Sequence, residues 1–260
     1  MAEHPSRAAG SRAPGRVVAV VPLRDGTSGK SRLAHVLDPD ARSRLVAVLA
    51  RHVVSTLLAS GAVERVVVVT SDPRFAWRAL QDLVVHAASG GDDGPHLRTD
   101  DADRLRIVLQ PADRPGLDTA VDVGREIAAE DGPVRVLVAH ADLPALTTDD
   151  VAALLAADPP VVVATDRHRS GTNLLVLDLI AAPFRTRFGA DSLAAHLAEA
   201  AAHGLRSVVV QRPGTATDLD TVDDWGELPA RVRAAVGQHV PGLHDATPGP
   251  QDRSASGGTR

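Results

Sequence analysis

Short runs rich in Val and Leu recur along the chain at Val17–Leu23, Val63–Thr70, Arg106–Leu109, Val134–Ala139, Val161–Thr165, Leu174–Leu177 and Ser207–Gln211. Each predicts a strand. Arg65–Thr70 reads RVVVVT without polar alternation, which predicts a strand covered on both faces and therefore a parallel sheet. Between these runs lie stretches of helical character, at Ala41–Ser60, Pro73–Asp82, Thr119–Glu130, Thr148–Ala157, Ser192–His203 and Val222–Val236. Strand and helix alternate. The fold class expected is therefore α/β, a three-layer α/β/α sandwich with a mostly parallel sheet and right-handed crossovers. Residues 89–104 (SGGDDGPHLRTDDADR) are too polar for an element and predict a surface insertion. Residues 1–15 and 241–260 carry Pro, Gly, Ser and Arg without apolar periodicity, which predicts disordered tails around a domain at 16–240.

Composition narrows the possible chemistry. The 260 residues carry a net charge of −5, so a basic surface for nucleic acid is not expected. Cysteine is absent, which excludes disulfides, thiolate metal sites and cysteine nucleophiles, and leaves oxygen or imidazole for any metal. No apolar run approaches a membrane span and no leader is apparent, so a cytoplasmic protein without a membrane partner is expected.

The first strand runs into PLRDGTSGKSRL, Pro22–Leu33. A strand entering a Gly-rich turn and then a helix is suited to phosphate, because backbone N–H groups converge there. Three cations within nine residues of an acidic chain favour that reading over a plain solvated turn. Gly29-Lys30-Ser31 matches the end of a P-loop, but Arg24 stands where that motif requires its first Gly. A second candidate is AHADLP, at the end of the Val134–Ala139 strand, where Asp142 either holds a divalent cation on bound phosphates or only caps a turn. Thr217-Asp218-Leu219-Asp220-Thr221 follows the last strand, and Asp220 or Thr221 serves equally as a helix cap. Ser170–Asn173 and Phe188–Ser192 offer N–H and hydroxyl donors to an anion, or are simply turns. There is no HExxH and no GxSxG.

Six segments occur in order: VPL-x(6)-KSRL (Val21–Leu33), GLDxA (Gly116–Ala120), ADLPxL (Ala141–Leu146), GTNxL (Gly171–Leu175), FGxxS (Phe188–Ser192) and TDLDTxxD (Thr217–Asp224). Together they resemble the CofC/FbiD family of guanylyltransferases of coenzyme F-420 biosynthesis, which have a nucleotidyltransferase, glycosyltransferase-A-like fold. The resemblance spans about Val17 to Trp225. It implies transfer of GMP from GTP to phosphoenolpyruvate, giving enolpyruvyl-diphospho-guanosine and pyrophosphate, or the same reaction on 2-phospho-L-lactate. The Ala- and Arg-rich composition, by association with high-GC actinobacteria, favours phosphoenolpyruvate.

By this resemblance Lys30, Asp142 and Asp220 are the catalytic residues, and Asp142, Asp218 and Asp220 are ligands for Mg2+. Pro22, Leu23, Gly29, Lys30 and Asp118 would contact GTP, although many members carry Asn where this chain has Asp118. Thr172, Gly189 and Ser192 would hold the acceptor acid. The chemistry agrees: a phosphate monoester with a second pKa of about 6 is already largely a dianion near neutral pH, so neutralising charge and fixing geometry matter more than a general base. The product would be an unstable activated intermediate, which implies handover to the next enzyme. The rivals are a nucleotidyltransferase for another acceptor, such as a molybdopterin or sugar phosphate; a P-loop NTPase or kinase; and a noncatalytic nucleotide-binding regulator.

Overall fold

A computed structural model of the chain describes residues 16–24, 30–89, 101–132, 135–178 and 184–244. The strands are β1 (Val17–Leu23), β2 (Arg65–Thr70), β3 (Leu105–Leu109), β4 (Arg135–Ala139), β5 (Val161–Thr165), β6 (Thr172–Asp178) and β7 (Ser207–Val210). They form one sheet in the order β3-β2-β1-β4-β6-β5-β7. All neighbouring pairs are parallel except the two made by β6, which is antiparallel to both β4 and β5. Loop length explains the exception. Only residues 166–171 separate β5 from β6, and a parallel crossover needs roughly a dozen residues or more.

The helices are α1 (Pro39–Ala59), α2 (Pro73–Ser89), α3 (Asp101–Arg104), α4 (Leu117–Ala129), α5 (Thr148–Leu155), α6 (Ser192–Ala202), α7 (Val222–Glu227), α8 (Ala230–Gly237) and α9 (Pro241–His244). Alternate residues of the central strands feed opposite layers. Ala19, Val21, Val66 and Val68 pack with α1, α2 and α5, while Val18, Val20, Val67 and Val69 pack with α4 and α6. Continuous valine runs are what such a doubly covered sheet requires.

Gly124 permits the close approach of α4 to β1, since a Cβ there would overlap Val20 Cγ1. Gly124→Ala is therefore expected to lower stability by about 1–3 kcal/mol through overpacking, despite the better helix propensity of Ala. Urea unfolding of the two proteins tests this; an equal or higher midpoint for the alanine variant would contradict it.

Three expectations change at the ends of elements. The helix expected over Val222–Val236 divides into α7 and α8, because Pro229 has no N–H and its ring pushes Leu228 to extended backbone at φ −67 and ψ 146. The polar 89–104 stretch, expected to lack any element, ends in the turn of helix α3 before β3; residues 90–100 fall outside the described residues. The packed body also continues past 240, since α9 buries Leu243. Of the stretches expected to be tails, 1–15 and 241–260, residues 1–15 and 245–260 lie outside the described residues.

A third apolar cluster positions the site. Leu33, Leu37, Leu45 and Leu49, from the Ser31–Leu33 3-10 turn through α1, pack with Leu219, Val222 and Trp225 and with Val236, Val240 and Leu243. This packing clamps the segment after β1 against the segment before α7, two stretches nearly 190 positions apart in sequence.

Candidate active site

A cleft of about 770 Å3 opens along the C-terminal ends of β1 and β4 and the N-terminal end of antiparallel β6. Open parallel sheets bind ligands at this edge. Lys30, Asp142, Asp218, Asp220, Thr172, Gly189 and Ser192 all line it, as do Pro22 and Leu23. The structure thus brings these nine expected residues to one place. Gly29 falls outside the described residues.

The centre of the cleft is ionic. Lys30 Nζ donates to Asp142 Oδ2 and to Asp220 Oδ1, each at 2.6 Å, while its side chain is only 8% exposed. Oxygens of Asp142, Asp218 and Asp220 lie within 4.8 Å of one another. Burial opposes the charge on Lys30, but the two carboxylates more than compensate and raise its pKa above the ordinary lysine value. Burial likewise opposes the charge on Asp142; the Lys30 ammonium and His140 outweigh it and hold that carboxyl below the usual range. Asp218 moves the other way, raised by burial and then by the charge of Asp142. Asp142 Oδ1 is buried without a hydrogen-bond partner. Three oxygens with one orphaned lone pair form a hard donor set, which fits a divalent cation such as Mg2+.

The local sequence builds this cluster. Lys30 adopts left-handed backbone at φ 56, and the chain makes one 3-10 turn before α1 begins at Pro39, capped by Asp38. A P-loop instead places its Gly-Lys-Ser/Thr at the opening of a helix. Asp220 is held from behind. Asp224 Oδ2 accepts from the N–H groups of Asp220 and Thr221 and from the Thr221 hydroxyl, and Arg167 pairs with Asp224 Oδ1 at 2.7 Å. Leu219 N–H donates to Asp142 O, joining the two aspartate segments. The capping role considered for Thr221 is real, since its side chain accepts from Asp224 N–H. Asp220 is left to face Lys30.

Opposite the carboxylates, Asp166 accepts from Ser170 N–H, Ser170 Oγ–H and Gly171 N–H and so shapes the turn that enters β6. Ser192 Oγ accepts from Thr172 N–H, and Thr172 Oγ1 lies 2.9 Å from His196 Nδ1. Gly189, at φ 120, and Asp191, at φ 55, turn the chain sharply into α6. Asp118 does not join the others. It is not among the residues lining the cleft, and its carboxylate accepts from Phe188 N–H, which anchors the FGxxS turn instead.

Several neighbours carried no clear signal in the sequence. His140 lines the cleft, stacks obliquely on Phe188 at 5.1 Å and has a buried, unpartnered Nε2. A second cavity of about 340 Å3 adjoins the first through Pro22, Leu23, Arg24 and Leu117 and is lined by Ser71, Gln110, Pro111 and Gly116. Gln110 follows β3 at the ligand-binding edge, and that placement was the available signal.

His196 is fully buried, and its pKa is lowered to about 4, mainly by burial, from the ordinary 6.5. Unfolding therefore takes up a proton between about pH 6.5 and 4. Stability falls as pH drops through that window, by on the order of 3 kcal/mol at most, and is untouched above it. Thermal melts from pH 7 to 4 should show a shallower acid decline for His196→Asn than for the wild type; parallel curves would contradict the assignment.

Comparison with known proteins gives one family. The family described as guanylyl transferase CofC like matches residues 96–231, just over half of the chain. The chain is 36% identical to a phosphoenolpyruvate guanylyltransferase from Sphaerobacter thermophilus over 81% of its length and 91% of that protein. It is 37% identical to one from Rubrobacter xylanophilus, over 82% and 94%. A 3-phospho-D-glycerate guanylyltransferase from Phenylobacterium zucineum is 34% identical over 81% and 88%. Among solved structures, a nucleotidyl transferase from Methanothermobacter thermautotrophicus superposes with a TM-score of 0.57 at 19% identity, over 86% of this chain and 98% of that one, which supports the fold alone. With the ordered motifs gathered on one cleft and relatives this similar over most of its length, the chain belongs to the family of CofC-like guanylyl transferases.

Proposed function

We propose that the chain transfers GMP from GTP to phosphoenolpyruvate and releases pyrophosphate. The observation that carries this reading is the arrangement of Lys30 between Asp142 and Asp220, with Asp218 alongside, at the edge of the sheet where the acceptor loops also converge. Lys30 and the backbone beside it bind the triphosphate and offset its charge. Asp142, Asp218 and Asp220 would hold Mg2+, which when bound supplies further neutralisation of the phosphates. The acceptor phosphate needs no base, so the protein's task is to seat two anions in line.

Guanine is favoured by the second cavity. Both amide hydrogens of Gln110 are taken, donating to Arg114 O at 2.7 Å and to Gly116 O at 2.8 Å. What Gln110 retains is its carbonyl acceptor, which suits the N–H donors on the Watson–Crick edge of guanine. Thr172, Gly189 and Ser192 face the acceptor, and their donors suit a carboxylate or phosphate common to phosphoenolpyruvate, 2-phospho-L-lactate and 3-phosphoglycerate. The name of the Phenylobacterium relative makes the last a necessary member of any acceptor panel.

The test is kcat/KM for the three acids. Phosphoenolpyruvate should lead by a modest factor, roughly 10- to 200-fold, because discrimination rests on the shape of the wall near one carbon substituent. Thr172→Ala and Ser192→Ala should weaken all three acids together. A lead for another acid would overturn the acceptor assignment, and unchanged KM values in both variants would remove these hydroxyls from it. Direct handover of the product to a following enzyme is a natural extension of this reading, and channelling assays with that enzyme would test it.

A further inference from the structure

We infer that His196, buried behind the cleft and not among the residues lining it, is a positioning residue that fixes the Thr172 hydroxyl as a hydrogen-bond donor to the acceptor anion. Arg187 N–H donates to His196 Nε2 at 3.0 Å, and a backbone N–H has no other role. Nε2 is therefore the acceptor nitrogen, and the ring proton sits on Nδ1. Nδ1–H must then donate across the 2.9 Å contact to Thr172 Oγ1. With its oxygen occupied as acceptor, Thr172 turns its own O–H away from His196, and no protein acceptor receives it among the described residues.

Ser192 is set by the same logic. Its Oγ accepts from Thr172 N–H at 2.9 Å and its O–H is likewise left to donate. Both hydroxyl residues line the cleft, each only 2% exposed. Two buried hydroxyls thus keep a donor without a protein acceptor among the described residues, at the wall of the cleft where the acceptor acid is proposed to sit. The aromatic neighbours keep the ring in place: Phe188 meets it edge-on at 4.9 Å, and Phe184 lies at 6.0 Å.

This inference rests on the acceptor reading of Thr172 given above, and the experiment separates the two. Asn at 196 can place an amide N–H where Nδ1–H now sits, whereas Gln reaches toward Nε2 and Phe keeps only the shape. KM for phosphoenolpyruvate and for GTP is measured on His196→Asn, His196→Gln, His196→Phe, Thr172→Val and the double variant Thr172→Val/His196→Phe. For His196→Gln and His196→Phe, KM for the acid should rise about five- to tenfold, the scale of one oriented hydrogen bond, with KM for GTP unchanged. His196→Asn should stay within about twofold of wild type, and the double variant should be no worse than Thr172→Val. A Thr172→Val variant with normal KM for the acid would overturn the acceptor reading itself. If Thr172→Val is impaired but the double variant adds a further full loss, or if the Asn and Gln variants are impaired equally, His196 is only a packing residue and the inference fails.

Discussion

Asp142→Asn and Asp220→Asn are each expected to lower kcat/KM by at least about 100-fold, roughly 2.7 kcal/mol of transition-state stabilisation, while leaving the fold intact. The substitutions keep shape and remove one negative charge. In each variant Lys30 retains the other carboxylate as a partner, so the cluster is weakened rather than stripped. Asp142 should be the more sensitive, because its side chain is 25% exposed against 40% for Asp220, and because its orphaned Oδ1 has no other employment. Circular dichroism and steady-state kinetics on both variants check this. Near-normal rates in folded proteins would remove the carboxylates from the reaction and the metal from the account.

Replacing Lys30 should have the second large effect, on activity and stability together. Lys30→Met removes the cation that separates Asp142 and Asp220 and leaves three carboxyl groups within 4.8 Å of one another. Breaking a fully buried pair costs about 3–5 kcal/mol, and partial exposure of both aspartates reduces the expected loss here to about 1–3 kcal/mol. Loss of the positive group proposed to offset the phosphate charge should lower kcat by about 100- to 1000-fold. Lys30→Gly separates the two contributions. Glycine adopts φ 56 without penalty, so the variant recovers about 1 kcal/mol of backbone strain, yet it should be as inactive as Lys30→Met. An active Lys30→Gly enzyme would show that the loop backbone alone suffices.

The layers of the fold were legible because valine runs and helical stretches alternate, and the strands fall where those runs predict them. The direction of β6 was also legible in principle, from the six residues after Thr165, because such a loop can close only a hairpin. The third apolar cluster was not. Leu33 lies in a 3-10 turn, Leu219 in a connecting segment and Trp225 in a short helix, and nothing local says that they meet. That long-range packing is what sets Lys30 against Asp220.

Among the site residues, the strand-end position of Asp142 and the cationic loop at Lys30 carry their own physical signal, whereas Thr172 and Ser192 came from motif resemblance. Asp118, which also came from the resemblance, is not among the residues lining the cleft, and its carboxylate accepts from Phe188 N–H. His140 and His196 were hidden because a lone histidine near a turn or on a helix face has no pattern of its own. Their roles depend on partners nine or more positions away or on a buried ring contact.

The central claim is acceptor-dependent guanylyl transfer, and it is tested most directly by following pyrophosphate and inorganic phosphate with each nucleotide, with and without phosphoenolpyruvate. The expected result is pyrophosphate from GTP in preference to ATP, only when the acid and Mg2+ are both present, in a one-to-one ratio with a guanylylated acid detected by mass. Release of inorganic phosphate from GTP without any acceptor, equal turnover of ATP, or full activity in excess chelator would contradict it.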